Sequence, residues 1–138
     1  MTRKEKIKKL LGRERYVELA YLFGSAARGE LGKLSDVDVA VYLDESLSSE
    51  ERFKLQLRLM GELASVLQTN RVDLIVMNEA PLPLQFEIIK SNRPILTRPE
   101  FDRVEFEHAI MSRYLDRRYH DERSADEFMR KVSKEGLA

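Results

Sequence analysis

The sequence predicts a single α/β (α+β) domain, a small β-sheet flanked by helices and closed by a long C-terminal helix. Three observations lead there. The chain has 138 residues, enough for one domain with a substantial core and too few for two ordinary ones. Short apolar runs, Val17 to Phe23, Asp36 to Leu43 and Val72 to Met77, alternate with segments of helical spacing. The stretch from Glu100 to Tyr119 keeps a helical period without a glycine or proline.

The elements follow in order. Residues 3–12 read as a short basic helix, with Ile7, Leu10 and Leu11 at i, i+3 and i+4. Val17 to Phe23 is almost wholly apolar, as a strand covered on both sides would be, with Val17, Leu19, Tyr21 and Phe23 on one face and Ala20 and Leu22 on the other. It stops at Gly24-Ser25, and Ala26-Ala27-Arg28 begins a helical turn. Gly29 and Gly32 flank a loop before the Asp36–Leu43 strand. Ser48 and Glu51 fit a capping box. After it the pattern suits a strand (Phe53, Leu55, Leu57, Leu59) or a helix (Phe53, Leu57, Met60, Leu63, Ala64, Leu67). The cap, the length and the Lys, Gln, Arg and Leu content favour a helix to about Thr69. A third strand, a helix from Pro81 to Lys90 and a short edge strand at Pro94–Thr97 follow. The final helix carries two apolar stripes. The expectation is that Phe101, Val104, Met111 and Leu115 pack on the sheet while Phe106, Ile110 and Tyr114 meet another chain. Burial of both stripes by the chain's own tail fits the pattern nearly as well. Residues 1–118 are read as the domain, and 119–138 as a charged, weakly helical tail available to a partner.

Composition excludes several functions. Basic and acidic side chains balance at 24 each, so no global field draws nucleic acid or anionic membrane, and nucleic acid is not expected as a direct substrate. Cysteine is absent and His108 and His120 are the two histidines, which leaves no thiolate site and no His-rich zinc site. No apolar run approaches the roughly 20 residues that span a bilayer. The basic start, Met1 to Gly12, lacks the apolar core of a secretory signal. The expected location is the cytoplasm.

The chemistry is carried by aspartates. Asp36 and Asp38 lie two apart on one strand and so share a face, with Val37, Val39 and Val41 on the other. Two neighbouring, partly desolvated carboxylates repel, and a divalent cation relieves both costs. Mg²⁺ suits them, since it binds through one or two carboxylates plus substrate phosphates. A solvated acidic strand edge accounts for the same pair. Gly24-Ser25 precedes Asp36 by ten residues; such a turn lets backbone N–H groups approach an anion, with Arg28 adding a cation. On its own it is also an ordinary strand-to-helix turn. Asp73 is the third acid, on the face opposite Val72, Leu74 and Val76. If its strand lies beside that of Asp36, three carboxylates cluster; they can hold two metals, with one carboxylate left near the attacking hydroxyl as base or metal bridge.

Phe23-Gly24-Ser25-Ala26-Ala27-Arg28-Gly29-Glu30, then Ser35-Asp36-Val37-Asp38-Val39-Ala40-Val41, with Asp73 on a later strand, resembles the minimal nucleotidyltransferases (MNT) of the DNA polymerase β superfamily. The likeness spans roughly residues 15–118. It implies the nucleotidyltransferase fold, with a small mixed sheet. It implies that Gly24 and Ser25, with Arg28 and Ser35, bind the nucleotide triphosphate. Asp36, Asp38 and Asp73 are then the metal and catalytic residues, holding one or two Mg²⁺, with Asp73 activating the acceptor hydroxyl and ATP as substrate. After Thr97 the chain offers one long helix and a tail, so the acceptor is expected to be small or presented by a partner protein. The MNT group includes antitoxins that transfer AMP to a tyrosine of a HEPN-domain ribonuclease toxin, and the resemblance implies such a type VII-like antitoxin in a hetero-oligomer. The alternatives are an antitoxin acting by binding alone and a transferase for a small molecule such as an aminoglycoside.

Overall fold

The computed structural model describes residues 1–24 and 36–135. In chain order these form α1 (Arg3–Gly12), β1 (Val17–Phe23), β2 (Val37–Leu43), α2 (Ser49–Leu67), β3 (Val72–Val76), a 3₁₀ turn (Met77–Glu79), α3 (Leu82–Lys90), β4 (Pro94–Thr97) and α4 (Arg103–Glu135). The strands make one sheet in the order β3-β2-β1-β4. β2 and β3 are parallel, while β1 is antiparallel to both β2 and β4. The sheet is therefore mixed, as expected, and α2 is the crossover that parallel neighbours require. No helix among the described residues is long and apolar enough to cross a membrane.

The sheet divides the core in two. On one face Val37, Val39, Val41, Val72, Leu74 and Val76 pack with Ile7 and Leu11 of α1 and with Leu55, Leu59, Leu63 and Leu67 of α2. On the other, Leu19, Tyr21 and Ala40 pack with Ile88 and Ile89 of α3 and Ile110 of α4. The period-2 pattern anticipates this for β2 and β3. In β1, Val17 sits with Ala20 and Leu22 rather than with Leu19 and Tyr21. The register shift between Val17 and Leu19 is the cause, because an inserted residue reverses which face the next side chain takes.

Helix α2 starts as expected: the Ser48 hydroxyl accepts from the Glu51 N–H and the Glu51 carboxylate accepts from the Ser48 N–H. Its buried stripe is Leu55, Leu59, Leu63 and Leu67. Phe53 and Leu57, expected inside, are more than half exposed. Both stripes run through Leu63 and Leu67, and contact with β3 selects the one containing Leu55.

Two polar ties fix the frame. The Asn78 side chain accepts from the Leu43 N–H and donates to the Leu43 carbonyl, each at 2.9 Å, standing in for one more residue of strand beyond β3. The Arg98 guanidinium donates to the carbonyls of Val17, Gly12 and Glu14, joining β4 to the end of α1 and the start of β1.

The expected roles of the two α4 stripes are exchanged except at Phe101, which packs on the domain as expected, with its ring 5.6 Å from that of Tyr42. Phe106, Ile110 and Tyr114 face the domain: Ile110 is fully buried, Phe106 lies against Tyr42 at 4.7 Å, and Tyr114 stacks on Phe86 at 4.0 Å. The Tyr21 hydroxyl donates to Glu107 beneath them. Val104, Met111 and Leu115 face solvent. Aromatic partners waiting on β2 and α3 decide the matter, and helical spacing alone carries no information about them. Asp102 caps the helix by accepting from the Glu105 N–H at 3.0 Å. The helix then runs unbroken past Tyr119 to Glu135 without folding back on the domain.

Candidate functional site

The sheet register assembles the site. Asp38, second in β2, is the lateral neighbour of Asp73, second in β3. On its other side it is the neighbour of Phe23, the last residue of β1. Gly24 follows directly and Asp36 precedes β2. One end of three adjacent strands thus carries the aspartates and the glycine, on the sheet face covered by α3 and α4.

The three carboxylates differ in setting. Asp36 and Asp73 are exposed, and Asp38 is half-buried between them. The Asp38 carboxyl is held above the usual carboxylate range, first by its burial and then by the negative charges of Asp73 and Asp36. Of the two carboxylates expected to be partly desolvated, Asp38 is and Asp36 is not; Asp73 is exposed because β3 is an edge strand and Asp73 stands at its open end.

Gly24 is more tightly constrained than a phosphate-turn reading requires. Its φ is +63°, and a Cβ there would lie 2.5 Å from Asp38 Oδ2. The residue therefore needs both the left-handed backbone that glycine adopts without penalty and the absence of a side chain. Its sequence neighbours are silent about this, since neither the sign of φ nor the packing on Asp38 is a local property. Ser25, Arg28 and Ser35, and with them the expected turn at Ala26–Arg28, lie outside the described residues. His108 and His120 are exposed on α4.

Among the described residues no group of three or more His, Cys, Asp or Glu is gathered closely enough to hold a metal. The carboxylates of Asp36, Asp38 and Asp73 are a partial set of oxygen donors. That chemistry fits Mg²⁺, which completes its octahedron with water and substrate phosphates rather than with an all-protein cage. The site as it stands sets a half-buried carboxylate, Asp38, beside an exposed one, Asp73, at one end of the sheet.

Comparisons with known proteins bear on the family and the fold. The family described as "Polymerase beta, Nucleotidyltransferase" matches residues 5–101. No curated protein sequence matches the chain. Among solved structures, a toxin–antitoxin with AMP-PNP superposes with a TM-score of 0.68 at 27% identity, covering 91% of this chain and 98% of its own. The toxin–antitoxin MntA–HepT gives a TM-score of 0.66 at 25% identity, covering 92% and 97%. A tri-AMPylated Shewanella oneidensis HEPN toxin in complex with MNT antitoxin gives 0.63 at 25% identity, covering 92% and 96%.

Proposed function

The chain belongs to the polymerase β nucleotidyltransferase family, and from that premise we propose that it is an Mg²⁺-dependent, cytoplasmic antitoxin that transfers AMP from ATP to a tyrosine of a HEPN-domain toxin. The observation that carries the reading is the register of Asp38 beside Asp73, with Gly24 against Asp38. The AMP-PNP complex and the tri-AMPylated toxin among its structural neighbours support the nucleotide and the acceptor.

The acceptor oxygen attacks the α-phosphorus in line. The new O–P bond forms as the bond to the β-phosphate oxygen breaks, and pyrophosphate leaves. Asp73, exposed and beside the metal-binding pair, takes the hydroxyl proton. Asp36 and Asp38, with Asp73, would hold Mg²⁺, which when bound neutralises the charge building on the phosphates. Gly24 keeps the β1 end clear of side chain so that backbone N–H groups and Ser25 reach the triphosphate, with Arg28 and Ser35 as further contacts. Residues 119–138 serve as a charged extension of the catalytic unit, 1–118.

The test is transfer from labelled ATP, with Mg²⁺, to the product of the neighbouring gene. Wild type labels that protein on tyrosine, chelation of Mg²⁺ stops labelling, and an Asp36→Asn/Asp38→Asn variant gives none. Absence of label with wild type, or equal label with the variant, overturns the catalytic claim. Neutralisation that survives the double substitution would identify an antitoxin acting by occlusion.

A further inference from the structure

We propose that α4 pairs with the α4 of a second copy of this chain as a short antiparallel coiled coil. The proposal is independent of the transfer chemistry. Its starting point is an energetic mismatch. Only the first part of α4 rests on the domain; every described side chain from Leu115 to Lys131 is exposed. About 20 residues, roughly 30 Å of helix, stand in solvent. A lone helix of that length is marginal. Its own ion pairs, Arg118–Glu122 and Arg123–Glu127, are surface pairs worth about 0.2–0.5 kcal/mol each.

A continuous seam runs along the free side. Val104, His108, Met111, Leu115, Arg118, Glu122, Ala125, Met129 and Val132 recur at alternating intervals of four and three, the spacing of a two-stranded coiled coil. Val104 is 73% exposed, Leu115 52% and Met129 63%. The seam is mostly apolar toward both ends, with His108 the polar exception, and charged in the middle, with one residue of each sign.

Those two charges select both partner and orientation. In a parallel pair Arg118 would face Arg118 and Glu122 would face Glu122, like against like. In an antiparallel pair centred on His120, each Arg118 faces the other copy's Glu122. The same register sets Leu115 against Ala125, Met111 against Met129 and His108 against Val132. Sliding the partner by one heptad in either direction puts Arg118 and Glu122 against Met, Leu or Ala. Of these registers, this one alone pairs both charges, and in it the helix is complementary to a second copy of itself, with His108 against Val132 as the remaining polar–apolar layer. A buried polar layer that fixes register and orientation at some cost in stability is a known device of such seams.

The experiment is sedimentation of the full chain at about 100 µM, well above a micromolar dissociation constant. A dimer is expected. Arg118→Glu and Glu122→Arg, each of which sets like charges face to face, raise the dissociation constant about tenfold or more, and the two together restore it. Because the chain has no cysteine, a Met111→Cys/Met129→Cys variant should crosslink between copies under mild oxidation. A monomer at that concentration, a dimer indifferent to single reversals, or a double variant that fails to recover overturns the proposal. So does a seam that becomes protected only when a HEPN-domain protein is added, since the occupant is then another protein.

Discussion

The two faces of the central sheet are built from the same strands and do opposite work. Toward α1 and α2, β2 and β3 present Val37, Val39, Val41, Val72, Leu74 and Val76, and every member of that buried cluster is apolar. Toward α3 and α4, the same strands present Asp38, Ala40 and Tyr42, then Asp73 and Ile75. The first face stabilises by removing hydrocarbon from water. The second holds repelling carboxylates at one end and a Tyr21–Glu107 hydrogen bond under α4, arrangements that cost stability or return little. Both faces bury apolar side chains, but the α3/α4 face has the smaller buried cluster and also carries the carboxylates at its end.

The largest expected effect is on the apolar face. Leu63→Ala leaves a void beneath α2, where Leu63 is fully buried, and should lower unfolding free energy by about 2–5 kcal/mol in urea titration. The matching change on the other face should separate activity from stability. Asp38→Asn lowers transfer about 100-fold or more, roughly 2.7 kcal/mol in barrier, while leaving metal-free stability within about 0.5 kcal/mol of wild type or above it. A stability loss comparable to Leu63→Ala would mean that the carboxylate is structural and erase the contrast. Gly24→Ala is intermediate. A left-handed alanine costs about 1–2 kcal/mol, and its Cβ must displace Asp38, so both melting temperature and transfer should fall. The smallest effect belongs to the α2 cap. Glu51 is held below the usual carboxylate range first by the Ser48 N–H and then by its hydroxyl. A depressed carboxyl contributes stability above its unfolded pKa and loses it as pH falls through the folded one. The wild type should therefore lose slightly more stability than Ser48→Ala between neutral pH and pH about 3, visible in parallel thermal melts.

How far the sequence could be read also divides along this sheet. Strand faces in β2 and β3 follow from a strict period of two, so the placement of Asp38 and Asp73 on one side was legible, as were the capping box and the edge strand at Pro94–Thr97. What failed needed a partner to decide it. α2 contains leucine at both 55 and 57, and only packing on β3 chooses between them. The stripes of α4 are equally apolar, and only Tyr42 and Phe86 determine which docks. Val17 changes face because of a bulge with no local signature. In the site, the acid pair was legible from spacing; the clash that fixes Gly24 was not, because it joins residues on different strands.

The side-chain amide of Asn78 has a consequence at a distance. It holds Leu43 at one end of the β2–β3 ladder, while Asp38 and Asp73 occupy the other. A slip of one residue between parallel strands would rotate every side chain of β3 to the opposite side. Asp73 would then point into hydrocarbon beneath α2, and Val72 or Leu74 would stand beside Asp38. A neutral amide with no chemistry of its own thereby acts as a ruler stop, setting from afar which two charges meet.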